Sequence, residues 1–160
     1  MNEVLNLQQF LPYRCNNLAE KISVSLSKIY VDQFGISVAQ WRILVTLAQE
    51  GELQAKRIGQ LTNMDKVRVS RAVAILMAKK LLHRRSCDVD SRAAILSLSA
   101  AGKRLYKRIV PQALAWECAL LEPLSVGEQQ ALFRIIGKLE RRLAQSGSEL
   151  GEPLPVVGEA

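Results

Sequence analysis

Side chains suited to nucleic-acid contacts are gathered in one stretch near the middle of the chain. From residue 66 to 80 the apolar positions recur at helical spacing, at Val69, Val73 and Leu76. At about 100° per residue, the opposite face carries a guanidinium, a hydroxyl and small side chains, from Val67, Ser70, Arg71 and Ala74. An arginine there has the donors to bind guanine O6 and N7, a serine reaches phosphate or a base edge, and a valine contacts a thymine methyl. The flanking Lys66 and Arg68 are expected to contact phosphate.

The periodicity changes from helical to alternating directly after this helix. Residues 82–86 and 94–98 are predicted to be two strands of a hairpin, joined by a polar turn. Arg84 lies in the first strand, and Asp90 and Arg92 lie in the turn. Arg92 is expected to enter a narrow minor groove, with Asp90 bracing the turn beside it.

The charge distribution supports the same hypothesis. Residues 54–108 hold 14 of the 22 lysines and arginines but only three of the 15 aspartates and glutamates, so this segment carries a charge of +11. The whole chain of 160 residues has a net charge of +7. Within it, a short helix at 55–61 and a polar turn precede the helix from residue 66, which is helix-turn-helix spacing. With the hairpin, the pattern predicts double-stranded DNA as the partner.

Other kinds of chemistry find little support. Three widely spaced cysteines (Cys15, Cys87 and Cys118) match no disulfide framework or zinc motif, and His83 is the one histidine. The sequence contains no phosphate-binding glycine loop, dinucleotide turn or catalytic-triad order, so no enzymatic activity, metal or cofactor is expected. No apolar run reaches the roughly 18 residues of a membrane span, and the N-terminus lacks a secretory pattern. These features predict a cytoplasmic protein, associated with the nucleoid through DNA.

The remaining elements are predicted to be helices. An apolar stripe runs from Leu11 to Ile29, and capping boxes at Ser37–Gln40 and Ser125–Glu128 begin two further helices. The predicted fold is mainly α with a small β-hairpin wing. One regulator domain is expected over 1–145, with dimerisation helices at about 10–34 and 100–145, a DNA-binding lobe at about 37–99, and a flexible tail at 146–160.

Several motifs resemble the MarR family of winged helix-turn-helix regulators. The most specific is Asp88-Val-Asp90-Ser-Arg92 followed by Ile95-Leu-Ser-Leu-Ser99-Ala-Ala-Gly102; shorter similarities lie at Met64–Arg71, Leu11–Arg14 and Trp41–Leu44. Leu81 stands where the family usually has glycine, which places the start of the first wing strand in question. The resemblance implies a homodimer interlocked through its first and last two helices, a near-palindromic operator, and an effector pocket between the dimer region and the lobe.

Four side chains are candidates for that pocket. Tyr13 and Trp41 could stack on an aromatic ring, and Arg14 or Arg42 could pair with a carboxylate. The alternative is that Trp41 belongs to the core and the arginines lie on the surface. Cys15 is either a small core residue or, as in one branch of the family, a peroxide-sensing thiol.

The predicted function is a homodimeric, sequence-specific transcriptional regulator, acting as a repressor that a small ligand, such as an aromatic acid, releases from DNA. Binding of ligand and DNA would then weaken each other equally. Two alternatives are left open. One is a redox-sensing regulator using Cys15, and the other is an architectural DNA binder that contacts phosphate without sequence preference.

Overall fold

The computed structural model describes residues 4–86 and 94–148. In chain order the elements are α1 (Leu11–Phe34), α2 (Val38–Glu50), β1 (Leu53–Gln54), α3 (Ala55–Thr62), α4 (Lys66–Ala78), β2 (Leu82–Ser86), β3 (Ala94–Leu98), α5 (Ala100–Leu121) and α6 (Val126–Ser148). The predicted class, mainly α with a small β wing, is confirmed. The chain divides into two compact units, Met1–Trp116 and Glu117–Ala160.

Polar caps fix where the helices begin. Ser37 Oγ accepts a hydrogen bond from the Gln40 amide at 3.3 Å, and Gln40 Oε1 accepts one from the Ser37 amide at 3.1 Å. Ser125 and Glu128 form the equivalent pair before α6. Both predicted capping boxes are therefore confirmed, and each satisfies N–H groups that the first helical turn leaves without a partner.

The three described strands form an antiparallel sheet in the order β1-β3-β2. β2 and β3 occupy the predicted residues, with Leu82 opposite Leu98. β1 pairs Leu53 with Leu96 and was not predicted, because two residues are too few to show an alternating pattern.

The core of the unit Met1–Trp116 lies where α2, α3 and α4 meet the sheet. Its fully buried side chains include Leu44, Ile58, Leu76 and Leu96. Burial of one such side chain is worth roughly 1.5–3 kcal/mol. This packing fixes the inward face of α4, and helix geometry then fixes which side chains α4 turns to solvent.

The start of β2 is built without the glycine that the family usually has there. The positive φ lies at Lys80, at 58°, one residue before Leu81. The Leu81 amide donates to the Leu76 carbonyl, and the Leu81 carbonyl accepts from the Ser99 amide. The departure at Leu81 is therefore absorbed by strained backbone at its neighbour.

α6 belongs to the unit Glu117–Ala160 and continues to Ser148. The helix thus includes the first three residues of the predicted tail at 146–160, and a single glycine near a helix end costs only about 1 kcal/mol. The flexible tail itself stays a prediction. Residues 149–160 lie outside the described residues, and the single domain over 1–145 stays a prediction. Within the described residues, no helix has the length and apolar character needed to cross a bilayer.

Candidate nucleic-acid interface

α4 turns the predicted face to solvent. Val69 and Leu76 are buried and Val73 is half-buried, as the periodicity predicted. The other side is exposed along its length, at Lys66, Val67, Arg68, Ser70, Arg71 and Ala74. A helix that enters the major groove needs such a face, with its polar and small side chains free of the core. The DNA contacts of these residues stay a prediction.

The turn between α3 and α4 is tight. Asn63 has a φ of 52°, and Asp65 Oδ1 accepts a hydrogen bond from the Arg68 amide at 2.8 Å. A Cβ atom on Gly59 would lie 2.9 Å from the Met64 carbonyl oxygen, so α3 and the turn meet at the distance of backbone contact. This packing sets the angle at which α4 leaves the turn.

A groove of about 360 Å³ lies between α4 and the beginning of α2. Ser37, the cap of α2, and Ala39 line it on one side, and Arg68 and Arg71 line it from α4. Two guanidinium groups beside a helix N-terminus attract phosphate. Asp65 lines the same groove, so one carboxylate opposes that attraction.

Ser37 and Ala39 are not among the residues that the sequence predicts for this interface. The capping box at Ser37 was the available signal, because it marks a helix end whose N–H groups carry positive partial charge. Nothing in the local pattern indicates that this end lies beside α4, since the two segments are about 30 residues apart in the chain.

The wing is described at its two strands. Arg84 is exposed on β2, opposite Leu96 of β3. Asp90 and Arg92, the residues predicted for the wing tip, lie outside the described residues, so their roles stay predictions.

Two exposed contacts brace the lobe. Arg85 Nη2 donates to Glu52 Oε2 at 2.6 Å, which joins β2 to the segment before β1. This hydrogen bond, together with the charge of Arg85, lowers the pKa of the Glu52 carboxyl. Lys79 Nζ donates to the Gly35 carbonyl at 2.6 Å, which joins the ends of α4 and α1.

Trp41 is a core residue in this structure, with 8% of its surface exposed. Its ring stacks on Tyr30 at 5.4 Å and on Tyr106 at 6.1 Å between centroids. The aromatic stack thus ties α2 to α1 and α5. Burial raises the pKa of the Tyr30 hydroxyl, and the positive charge of Arg42 opposes the rise.

One chain does not bring the four predicted ligand residues together. Tyr13 and Arg14 lie in the first turn of α1, whereas Trp41 and Arg42 lie at the level of Tyr30. Tyr13 and Tyr30 are 17 positions apart on one helix, or about 25 Å at about 1.5 Å per residue. Any pocket that uses all four must therefore combine residues of two chains.

The described cysteines are both exposed. Cys15 lies on α1 and Cys118 on α5. A cysteine at a helical position such as Cys118 is usually a packing residue, but here its side chain is exposed in the single chain, because helical spacing alone does not show which face is covered. Cys15 likewise is not part of the core of the single chain, and its redox role stays a prediction.

The short α3, the tight turn, the exposed face of α4 and the β2–β3 hairpin together define a winged helix-turn-helix protein. Residues 34–93 match the model of the MarR family. The structure is similar to that of a MarR/EmrR family transcriptional regulator from Acinetobacter sp. ADP1, with 29% identity, a TM-score of 0.79, and coverage of 88% of this chain and 99% of that one. The chain is therefore similar to the MarR family of transcriptional regulators, in sequence over residues 34–93 and in fold over most of its length.

Two further relatives extend this comparison. YwaE of Bacillus subtilis (strain 168), an uncharacterized HTH-type transcriptional regulator, is 24% identical over 126 residues, which are 78% of this chain and 73% of that protein. BpsR of Bordetella bronchiseptica, whose DNA binding is regulated by 6-hydroxynicotinic acid, shares the fold with 21% identity, a TM-score of 0.68, and coverage of 79% of this chain and 98% of that one. Together with the match to the MarR family model, these relatives support a DNA-binding regulator.

Proposed function

We propose that this protein is a homodimeric, sequence-specific transcriptional repressor that a small aromatic acid releases from DNA. The observation that carries the proposal is the exposed face of α4, where Val67, Ser70 and Arg71 lie opposite the side that packs on the core. Side chains of these types distinguish base pairs through major-groove hydrogen bonds and methyl contacts. This face supports recognition of sequence in addition to attraction to phosphate.

Exposed apolar side chains support the homodimer. α6 exposes one side with five large members, Leu132, Ile135, Ile136, Leu139 and Leu143, and α1 exposes Leu11 and Leu18. An exposed apolar helix face such as that of α6 marks an interaction site. A second copy carries the same faces and can cover them around a two-fold axis. Two α4 helices would then contact half-sites about 34 Å apart, which requires a near-palindromic operator.

The proposed effector acts through the dimer. A ligand that prefers a different spacing of the two α4 helices lowers DNA affinity, and a coupling of roughly 1–3 kcal/mol gives a 5- to 150-fold release. The aromatic-acid class is supported by the regulation of BpsR by 6-hydroxynicotinic acid. In this chain, Tyr13 and Arg14 of one copy would complete a pocket with Arg42 beside the stacked Trp41 of the other.

The test begins with selection of bound sequences from random duplex DNA at about 150 mM salt, where non-specific affinity is much reduced. A near-palindrome with half-sites about 10 base pairs apart is the expected result. No enriched motif, together with binding that collapses as salt rises, would instead support the architectural alternative.

The recovered operator then serves as the probe for the signal. Hydroxylated aromatic acids are expected to release it, and peroxide is expected to have no effect that depends on Cys15. A peroxide response that disappears in Cys15→Ser would establish the redox alternative in place of the ligand.

A further inference from the structure

A second basic surface lies at the beginning of α5. Lys103, Arg104, Lys107 and Arg108 are all exposed. Lys80 is close to them, because Ser99 Oγ, at the start of α5, donates to the Lys80 carbonyl at 2.8 Å. The described residues from 66 to 86 and from 94 to 116 contain no aspartate or glutamate. Lys80, Lys103, Arg104 and Lys107 are called the α5 patch below.

Helix geometry places the cations of α5 on one side. Gly102 and Ile109 are buried and mark the inner side of this helix. At about 100° per residue, the basic residues at 103, 104, 107 and 108 fall within an arc of about 140° centred opposite that side. They extend over about 8 Å of the helix axis.

These charges do not stabilise their own helix. Lys103 lies at the end of the first turn of α5, where the helix dipole disfavours a cation. Lys103 and Lys107 are like charges four positions apart, which repel each other. Within the described residues, the ion pair of Arg85 with Glu52 is the one found, so none of the α5 patch is neutralised there.

Arg108 differs from the other cations of α5, because it contacts an aromatic ring within the chain. This contact accounts for its position with no need for an external anion. Its guanidinium lies 5.1 Å from the centroid of the Phe34 ring. Among the described residues no such contact is found for Lys103, Arg104 or Lys107, and the repulsion among these cations is relieved when an anionic partner binds.

The chemistry of the α5 patch fits duplex phosphate. Duplex DNA carries a negative charge for about every 1.7 Å of its axis, which matches cations packed along a short helix face. Single-stranded nucleic acid is bound through exposed aromatic rings. The aromatic residue of this helix segment, Tyr106, is instead half-buried and stacked on Trp41.

The patch is also separated from the residues proposed to contact bases. Lys66 and Ala78, the two ends of α4, are about 18 Å apart by helix rise, and the patch adjoins the Ala78 end. We propose that the α5 patch is a second, sequence-independent contact to the phosphate backbone of duplex DNA, in the flank of the operator or in a second duplex. The inference rests on the proposed function, in which α4 holds the operator.

The test compares two triple variants that remove the same charge. One is Lys103→Gln, Arg104→Gln and Lys107→Gln, and its control is Arg134→Gln, Lys138→Gln and Arg141→Gln, three exposed residues of α6. Glutamine is a good helix former, and circular dichroism confirms that both variants are folded. Affinity is measured between 50 and 200 mM salt for an operator duplex of about 20 base pairs and for one extended to about 60 base pairs.

A plot of log affinity against log salt has a negative slope, and each phosphate contact contributes about 0.9 to its magnitude. The α5 variant is expected to reduce that magnitude by about 2 or more per chain. The control variant is expected to keep the wild-type slope. A loss confined to the long duplex identifies the operator flank. A second duplex is tested with two short duplexes that carry different fluorophores, since a protein that binds both brings them close enough for energy transfer. Loss of this transfer in the α5 variant identifies a second duplex as the partner of the patch.

Equal slopes for the two triple variants, with equal energy transfer, would overturn the proposal. The proposal would also be overturned if the α5 variant kept the wild-type affinity for duplex DNA and lost affinity only for single-stranded RNA. Neither result bears on the preference for the operator sequence, which is proposed to depend on α4. That proposed function fails separately, if Arg71→Ala leaves the sequence preference unchanged.

Discussion

The carbonyl oxygen of Leu81 occupies the space that a Cβ atom on Gly102 would need. The same carbonyl accepts the Ser99 amide at 3.0 Å, and Ser99 Oγ accepts the Gly102 amide at 3.0 Å. These contacts join the end of α4, the end of β3 and the start of α5 at one point. The position of the wing relative to α4 therefore depends on a residue that has no side chain.

Gly102→Ala is expected to destabilise the protein by about 2–3 kcal/mol, because the added methyl group must displace backbone rather than a side chain. The sign is opposite to the usual gain of about 1 kcal/mol for alanine over glycine inside a helix. Urea unfolding measures the effect. Gly127→Ala in α6 is the control, because nothing lies within 4 Å of its Cβ position, and it is expected to be neutral or stabilising. Equal stability of the two variants would contradict this account.

The sequence predicted those features that are written in short-range patterns. The strands at 82–86 and 94–98, both capping boxes and the inward face of α4 follow from period, cap chemistry and spacing. Contacts between distant segments could not be predicted in this way. The groove shared by Ser37 and Arg71, and the close approach of Leu81 to Gly102, depend on how helices pack, which no local pattern specifies.

The aromatic stack is a second case in which the sequence alone does not decide a residue's role. Trp41 was considered both as a ligand contact and as a core residue, because its spacing fits either role. Only the positions of Tyr30 and Tyr106, on α1 and α5, place its ring inside the core.

Lys80→Gly is expected to stabilise the protein by about 0.5–1 kcal/mol. A left-handed backbone costs a residue with a Cβ about 1–2 kcal/mol, and this exceeds the roughly 0.4–1 kcal/mol by which glycine favours the unfolded chain. The carbonyl that Ser99 Oγ contacts is retained. Ala74→Gly, at an exposed site in the middle of α4, is the matched control and should lose about 1 kcal/mol. A loss of stability at both positions would show that residue 80 is not strained.

The buried hydroxyl of Tyr30 makes stability depend on alkaline pH. Burial raises its folded-state pKa above the ordinary 10.0, so its contribution is complete below that pH and is lost as the pH rises through the folded value, because the unfolded chain ionises first. Tyr30→Phe should therefore lose stability less steeply above about pH 10. Arg42→Gln should lose it more steeply, because the opposing positive charge is removed. Urea unfolding across this pH range gives the three slopes, and identical slopes would refute the assignment.

Arg71 and Arg68 are expected to fail in different ways when each is replaced by alanine. Arg71→Ala should cost about 1–3 kcal/mol and relax preference at one base-pair position in each half-site. Arg68→Ala should weaken all sequences alike and lower the salt slope by about 1, as expected for a phosphate contact. Repeating the selection and the salt titration with each variant distinguishes the two roles. A uniform loss in both would assign Arg71 to phosphate as well.

Ile136→Glu tests whether the exposed apolar side of α6 is the dimer surface. A carboxylate at this position would be buried without a partner, so the dimer is expected to dissociate at micromolar concentration in sedimentation velocity. Operator affinity should then fall by roughly 100-fold or more, because two half-sites are no longer bound by linked recognition helices. Gln130→Glu adds the same charge to the opposite side of α6 and should remain dimeric and fully active. If Ile136→Glu also stays dimeric, a different surface must join the two copies, and the apolar side of α6 must then be covered by another partner.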